Sequence, residues 1–163
     1  MRIYFSGAIA GGRENLVTYQ HIVKWLQTAG HEVPSAHVAD PEVLSRESHV
    51  PPANVYERDM AWIEQSDGMV AEVSTPSLGV GYEICHALYK EKPVLCLYRR
   101  GLFISRMITG NSSPYLRLAA YGDLDELDAY LSSFLKAMGN PSNCGPGSTV
   151  EQSDAGETPP TAG

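Results

Sequence analysis

The segment Ser74–Glu83 (STPSLGVGYE) holds the side chain best placed to do chemistry, a single glutamate behind a glycine-rich turn. Residues 68–73 before it form an apolar run that predicts a buried strand, and residues 84–89 after it have the apolar spacing of a helix. Glu83 is therefore expected beyond the carboxyl end of a strand, where open α/β sheets bind ligands. The alternative is a first-turn glutamate that only complements the helix macrodipole, worth at most about 1 kcal/mol.

Asp59 and Tyr4 are two further candidates. Asp59 borders the apolar face of a predicted helix at residues 55–65, where a partly buried carboxyl group can donate a proton. Tyr4 lies in the first predicted strand, so its hydroxyl can steer a carboxylate at the end of that strand. The structural alternatives are a solvated helix aspartate and a core tyrosine.

A glycine-rich turn, residues 6–13 (SGAIAGGR), connects the first strand to a helix. The backbone N–H groups of such a turn can converge on an anion, and Arg13 adds a positive charge. The turn matches neither the dinucleotide fingerprint nor the Walker loop, so glycines needed only for backbone geometry are the alternative. His37 follows a weak strand at the same edge of the sheet, and no second His or Cys stands at metal-ligand spacing. We therefore predict no metal site.

Strand-like and helix-like segments alternate along the chain. Strands are predicted at residues 3–5, 69–73, 94–98 and 116–121, with a weaker one at 32–38, and helices near residues 14–29, 55–65, 80–90 and 124–138. This order predicts a three-layer α/β domain, flavodoxin-like or Rossmann-like, with a parallel sheet of about five strands and helices on both faces. Residues 40–54, rich in Pro, Ser and charge, are predicted to form a loop that can cover the site.

The composition of the 163-residue chain limits its organisation and its partners. Residues 1–138 are predicted to form one domain, and residues 139–163, rich in Gly, Pro, Ser and Thr, a disordered tail. The net charge of -7 argues against binding of nucleic acid polymers or anionic membranes. Three cysteines without paired spacing indicate a reducing compartment. The apolar start is too short for a signal or membrane segment, so we expect the cytoplasm and, as a second location, the nucleus.

Five stretches together resemble the nucleoside 2-deoxyribosyltransferase superfamily, most closely its 2'-deoxynucleoside 5'-phosphate N-hydrolase branch. They are residues 4–14, 37–40, 59–62, 70–73 and 76–83. The resemblance implies that Glu83 attacks the anomeric carbon of the deoxyribose and forms a covalent glycosyl-enzyme, which water hydrolyses. It also implies that Asp59 handles the proton at the base and at the water, that Tyr4 orients Glu83, and that no cofactor or metal takes part.

Ser77 separates the two branches of this superfamily. The transferases carry an aspartate six residues before the nucleophile, whereas this chain has Ser77, whose hydroxyl can donate to a 5'-phosphate that a carboxylate would repel. The resemblance further implies that Ser105 reaches the active site of a neighbouring subunit in a homodimer. The expected substrate-binding residues are those of the turn, the strand edge and the helix start: Gly7, Ala8, Ile9, Ala10, Gly11, Gly12, Arg13, His37, Ser77, Gly79 and Ser105.

Ala8 and Ala10 depart from the hydrolase pattern, which has serine and arginine there. One lost charge-assisted contact costs about 1.5–3 kcal/mol, so either phosphate affinity is weaker or Arg13 or Arg106 compensates. The expected reaction is hydrolysis of 2'-deoxynucleoside 5'-monophosphates to free base and 2-deoxyribose 5-phosphate, with modified pyrimidines such as 5-hydroxymethyl-dUMP among the substrates that the resemblance suggests. The alternatives are a transferase acting on unphosphorylated deoxynucleosides and a non-catalytic nucleotide sensor, and base preference is not encoded in a recognisable pattern.

Overall fold

A parallel sheet forms the centre of the computed structural model, which describes residues 1–140. Its four strands are β1 (Ile3–Gly7), β2 (Gly68–Glu72), β3 (Val94–Arg99) and β4 (Leu116–Tyr121), in the order β1-β2-β3-β4. The helices are α1 (Leu16–Thr28), α2 (Val43–Glu47), α3 (Pro52–Gln65), α4 (Leu78–Tyr89), α5 (Arg106–Thr109) and α6 (Leu124–Gly139), with a 3-10 helix at Ala36–Ala39.

Two apolar clusters pack against opposite faces of the sheet and confirm the three-layer architecture. Phe5 faces α1 and α6: its ring contacts that of Tyr19, and it shares a buried cluster with Phe134. Its neighbour Tyr4 faces α3 and α4, because successive side chains of a strand point to opposite faces. Every residue of β1 and β2 is buried, which explains their near-continuous apolar sequences.

The prediction of a fifth strand is wrong for the described residues. Of residues 32–38 only Glu32 pairs, through one isolated parallel bridge to Arg2, the residue before β1. Pro34 has no N–H to continue the ladder, and the buried Ser35 hydroxyl replaces it. That hydroxyl accepts a hydrogen bond from the Phe5 N–H at 2.8 Å and donates to the Phe5 carbonyl at 2.7 Å. The Ser35 side chain therefore bonds to the backbone of β1 at the edge where a fifth strand was expected.

Some element boundaries also differ from those predicted. The expected loop at residues 40–54 contains α2, and α3 begins at Pro52, a residue type favoured in the first helical turn. Helix α6 continues to Gly139, just past the predicted domain end at 138. The rest of the predicted disordered tail, from residue 141, lies outside the described residues, so it stays a prediction. No described helix has the length and apolarity needed to cross a membrane.

The crossover connections place a crevice at the carboxyl ends of β1 and β2. From β1 the chain runs through α1 to the bridge at Glu32 on one side, then returns through α3 to β2 on the other side. This change of direction is a topological switch point, where open α/β sheets bind their ligands. The turn after β1 and the β2–α4 loop both open into it.

Candidate active site

Two hydroxyl groups of β1 hold the Glu83 carboxylate. Tyr4 Oη donates a hydrogen bond to Glu83 Oε1 at 2.9 Å, and Ser6 Oγ donates to Glu83 Oε2. Tyr4 and Ser6 are two residues apart and therefore point to the same face of the strand. Glu83 itself lies in the second turn of α4, not the first, so complementing the helix macrodipole does not explain its presence.

The surroundings of Glu83 favour its protonated form more than water does. Burial raises the pKa of its carboxyl group to about 7, although the Ser6 and Tyr4 hydrogen bonds lower it. The negative charge of Asp59 raises this pKa further, and the Arg58 charge lowers it. Burial, followed by the Glu83 charge, also raises the pKa of Tyr4, which therefore remains a hydrogen-bond donor at neutral pH. Both ionisation states of Glu83 are thus accessible near pH 7.

Asp59 approaches this pair from α3. Its side chain is 16% exposed, and Oδ1 accepts a hydrogen bond from Arg58 Nε at 2.9 Å. Its charge acts on both Glu83 and Tyr4, so the three predicted catalytic residues share one site. Three elements, β1, α3 and α4, bring them together. Two carboxylates of this kind can divide the work of cleaving a glycosidic bond, one as nucleophile and one as acid and base.

Ser6 and Arg58 belong to the site but are absent from the predicted set. The signal for Ser6 is its spacing of two from Tyr4 in a strand, which places both hydroxyls on one face. For Arg58, a charged side chain next to Asp59 in a helix carries no such signal, because neighbours in a helix point about 100° apart. Only the tertiary structure turns its guanidinium toward Asp59.

The glycine-rich turn meets the β2–α4 loop across the crevice. A Cβ atom at Gly11 would lie 2.7 Å from the Pro76 carbonyl oxygen, so glycine permits this close approach. Gly12 has a φ of 135°, a conformation that favours glycine. Ala10 and Gly11 are exposed. Ala8 is buried, and its N–H already donates to Tyr19 Oη at 3.1 Å. The later residues of the turn, such as Ala10 and Gly11, are therefore the ones available to contact a ligand.

Arg13 fastens the turn to the chain that follows the 3-10 helix. Its guanidinium donates to the carbonyls of Val38 and Asp40, both at 2.9 Å, and to that of Ala8 at 3.3 Å. The expected contact of Arg13 with a phosphate stays a prediction, but three backbone carbonyls already accept from its terminal nitrogens Nη1 and Nη2.

The other predicted binding residues surround the crevice or lie away from it. Gly7 packs against the Tyr19 ring and Ile9 against the α1/α6 cluster. His37 lies beside Trp62, with ring centroids 5.6 Å apart. Ser77 caps α4 by accepting from the Val80 N–H at 3.4 Å, and Gly79 follows in the first turn. Ser105 is exposed at the start of α5 and is not among the described groups that bond to Glu83 within its own chain.

Comparison with known proteins identifies the family. A family model described as nucleoside 2-deoxyribosyltransferase matches residues 3–153. The chain belongs to this family. A Methanosarcina mazei protein named as a 2'-deoxynucleoside 5'-phosphate N-hydrolase is 43% identical over 136 residues, covering 83% of this chain and 84% of that protein. The 5-hydroxymethyl-dUMP N-hydrolase of Mus musculus is 39% identical over 155 residues, covering 87% and 88%. The resemblance predicted from five short stretches is confirmed.

Solved structures agree with the fold. The Clostridium botulinum CMP N-glycosidase has a TM-score of 0.61 at 18% identity, covering 82% of this chain and 99% of that chain. At this identity the likeness establishes the fold alone. The chain therefore has the three-layer fold of this group with four paired strands in the described residues.

Proposed function

We propose that the protein hydrolyses the N-glycosidic bond of 2'-deoxynucleoside 5'-monophosphates to free base and 2-deoxyribose 5-phosphate. The observation that carries this proposal is the Glu83 carboxylate, held by Tyr4 and Ser6 and facing Asp59 at the switch point of the sheet. The names of the relatives support a nucleotide N-hydrolase. The mouse relative further supports modified pyrimidines such as 5-hydroxymethyl-dUMP as substrates to test.

In the proposed mechanism the two carboxyl groups have different tasks. An oxygen of ionised Glu83 forms a bond to C1' of the deoxyribose while the C1'–N bond breaks and its electron pair goes to the base. Asp59 passes a proton to the departing base. In the second step Asp59 takes a proton from water, whose oxygen forms a bond to C1' while the bond between C1' and Glu83 breaks. Tyr4 and Ser6 hold the carboxylate so that one oxygen faces the sugar.

The proposed phosphate site lies between the glycine-rich turn and the start of α4. Gly11 and Pro76 bring these two segments into close approach, and the helix start presents N–H groups and the positive end of the macrodipole. Ser77 and Gly79 border the same helix start. Arg13, the arginine of the turn, donates to three backbone carbonyls and so does not replace the arginine missing at Ala10. Backbone groups therefore carry most of the binding in this proposal.

A homodimer is part of the proposal because an exposed apolar surface runs along α4. Leu78, Tyr82 and Tyr89 are exposed along this helix, and Tyr56 of α3 extends the surface through its ring contact with Tyr82. We name these four side chains the α4 surface. Phe103 and Met107, also strongly exposed, flank Ser105. Large apolar surfaces of this kind commonly mark protein interfaces, and a partner would bring its Ser105 to the site.

Residence in the cytoplasm and nucleus is likewise proposed, and microscopy of the tagged full chain tests it.

One assay separates the hydrolase from its alternatives. Free base is measured by chromatography after incubation with a panel of deoxynucleoside monophosphates and the matching nucleosides, with and without a competing acceptor base. A hydrolase releases base and sugar phosphate regardless of the acceptor. A transferase forms a new nucleoside with the acceptor, and a sensor binds the nucleotide without turnover.

A further inference from the structure

One guanidinium group, that of Arg58, joins three elements beside the catalytic carboxylates. Arg58 Nε donates to Asp59 Oδ1 at 2.9 Å on its own helix, and Nη1 donates to Glu47 Oε1 of α2 at 2.8 Å. Arg58 Nη2 lies 3.4 Å from both Glu47 Oε2 and His37 Nε2. The guanidinium carbon lies 4.9 Å from the centre of the Trp62 ring. The proposed reaction uses Asp59 but leaves this arrangement unexplained.

We propose that Arg58 and Glu47 form a latch, in which they are positioning residues that fix the Asp59 carboxylate and hold α2 against the crevice. This inference rests on the proposed function of Asp59. The latch links α2 to the group that moves protons, so the position of α2 and the orientation of Asp59 depend on each other.

Helix α2 needs such an attachment because it is too short to be stable alone. It has five residues, well below the length at which isolated helices form in water. Its only buried side chain is Val43, and Leu44 is exposed. The Glu47 side chain is 19% exposed, so its ion pair with Arg58 is partly shielded from water. The pair therefore ties the end of α2 to α3.

The geometry requires arginine and not merely a positive charge. The planar guanidinium reaches Asp59 through Nε and Glu47 through the terminal nitrogens, which the single ammonium of lysine cannot reproduce. Stacking on Trp62 holds the plane of the group in place. Removing either carboxylate would leave the guanidinium free to turn toward the other.

His37 is held by the same group. Burial, followed by the Arg58 charge, lowers the pKa of its imidazole, which is therefore neutral at pH 7. Its Nε2 lies 3.4 Å from Arg58 Nη2 and 3.3 Å from Glu47 Oε1, so the ring lies against both partners of the ion pair. Loss of Arg58 would remove one of these two contacts.

Four variants test the latch: Arg58→Gln, Arg58→Lys, Glu47→Gln and the control Arg46→Gln. Arg46, on α2, likewise pairs with a carboxylate, Asp40 Oδ2 at 2.7 Å, but its side chain is 70% exposed, against 26% for Arg58. With a deoxynucleoside monophosphate that the wild type cleaves, Arg58→Gln is expected to lower kcat about tenfold or more. Arg58→Lys should recover little of it, and Arg46→Gln should stay within twofold of wild type.

The pH profile distinguishes positioning from simple loss of structure. The groups that face Glu83 are Tyr4 and Ser6 from β1 and Asp59 and Arg58 from α3. Because the Arg58 charge favours ionised Glu83, the acid limb of kcat/KM should move up by about 0.5 pH unit in Arg58→Gln. Glu47→Gln keeps the Arg58 charge. In this variant kcat should fall, but the acid limb of kcat/KM should stay at the wild-type pH.

Amide hydrogen exchange tests the latch without any catalytic activity. The amides of residues 40–50 should exchange about tenfold faster in Glu47→Gln and Arg58→Gln than in wild type. Their exchange rates should be unchanged in Arg46→Gln. If the wild type cleaves no nucleotide, the proposed function fails while the exchange result still decides whether the latch exists. Equal exchange in all variants, or an Arg58→Gln enzyme with wild-type kcat and pH profile, would overturn the latch.

Discussion

The paired hydroxyls on Glu83 are the most specific feature of the site at the scale of single residues. Each donates to one oxygen of a carboxylate that is mostly out of water, and a hydrogen bond to a charged group contributes about 1.5–3 kcal/mol. The pair can therefore decide both the aim of Glu83 and the pH at which it ionises.

Ser6→Ala should reduce kcat about 10- to 100-fold, because the carboxylate loses one of its two anchors. In the wild type the Ser6 hydrogen bond lowers the Glu83 pKa. Its loss should therefore raise this pKa and move the acid limb of kcat/KM to higher pH. Steady-state rates between pH 5 and 9 measure both effects. Ser66→Ala is the matched control, because this buried hydroxyl donates to the Trp62 carbonyl outside the site. Wild-type kinetics in Ser6→Ala would show that Tyr4 alone positions Glu83.

Glu83→Gln should stabilise the fold increasingly with pH. The unfolded chain releases the Glu83 proton near pH 4.5, whereas the folded chain holds it to about pH 7. Folding therefore binds a proton in this window, and the wild-type free energy of unfolding falls as pH rises through it. The advantage of Glu83→Gln should grow by about 3 kcal/mol between pH 4 and pH 8, measured by urea unfolding. A difference independent of pH would contradict the raised pKa.

The sequence predicts the three catalytic candidates because each has a local pattern, but it does not predict what their neighbours do. Tyr4 sits in a strand and Glu83 follows a glycine-rich turn, so the sheet edge brings them together. Arg13 was expected to face a phosphate, yet its guanidinium donates to the carbonyls of Val38 and Asp40. Val38 and Asp40 lie 25 and 27 residues after Arg13 in the chain. A local sequence pattern does not reveal contacts between residues so far apart.

At the scale of elements, the site depends on how closely the glycine-rich turn approaches the β2–α4 loop. Gly11→Ala would place a methyl group 2.7 Å from the Pro76 carbonyl oxygen, so the two segments must separate. We expect KM for the nucleotide to rise about tenfold and the free energy of unfolding to fall by about 1–3 kcal/mol. Kinetics and urea unfolding measure these changes.

Gly81→Ala is the control for this substitution. A Cβ atom at Gly81 meets no atom within 4 Å, and alanine is the better helix former by about 1 kcal/mol. This variant should therefore be as stable as wild type or more stable, with unchanged KM. If Gly11→Ala behaved in the same way, the close approach of the two segments would not form the phosphate site.

The missing fifth strand shows a limit of sequence patterns at this scale. Residues 32–38 have a weak strand pattern, and the first of them does pair with Arg2, just before β1. Pro34 then interrupts the ladder, and the Ser35 hydroxyl takes over the backbone of Phe5. Whether a serine hydroxyl can replace strand pairing depends on where the neighbouring strand lies in space. The periodicity of the sequence carries no information on that position.

At the scale of the whole molecule, the proposed dimer makes the α4 surface necessary for activity. Tyr82→Glu should yield a monomer in sedimentation velocity, because a charge would be buried in the interface. Its rate should fall at least tenfold, since the monomer lacks the partner's phosphate contact. Val17→Glu, at an apolar position of α1 that is even more exposed than Tyr82, should remain dimeric and active. An active Tyr82→Glu monomer would show that each chain completes its own site.

The catalytic role of Glu83 is tested most directly by measuring the release of free base from deoxynucleoside monophosphates by wild type and Glu83→Ala. We expect wild type to cleave the monophosphates in preference to the matching nucleosides, independent of an acceptor base, and Glu83→Ala to be inactive but folded. Cleavage that survives in Glu83→Ala, or faster cleavage of unphosphorylated nucleosides, would contradict these expectations.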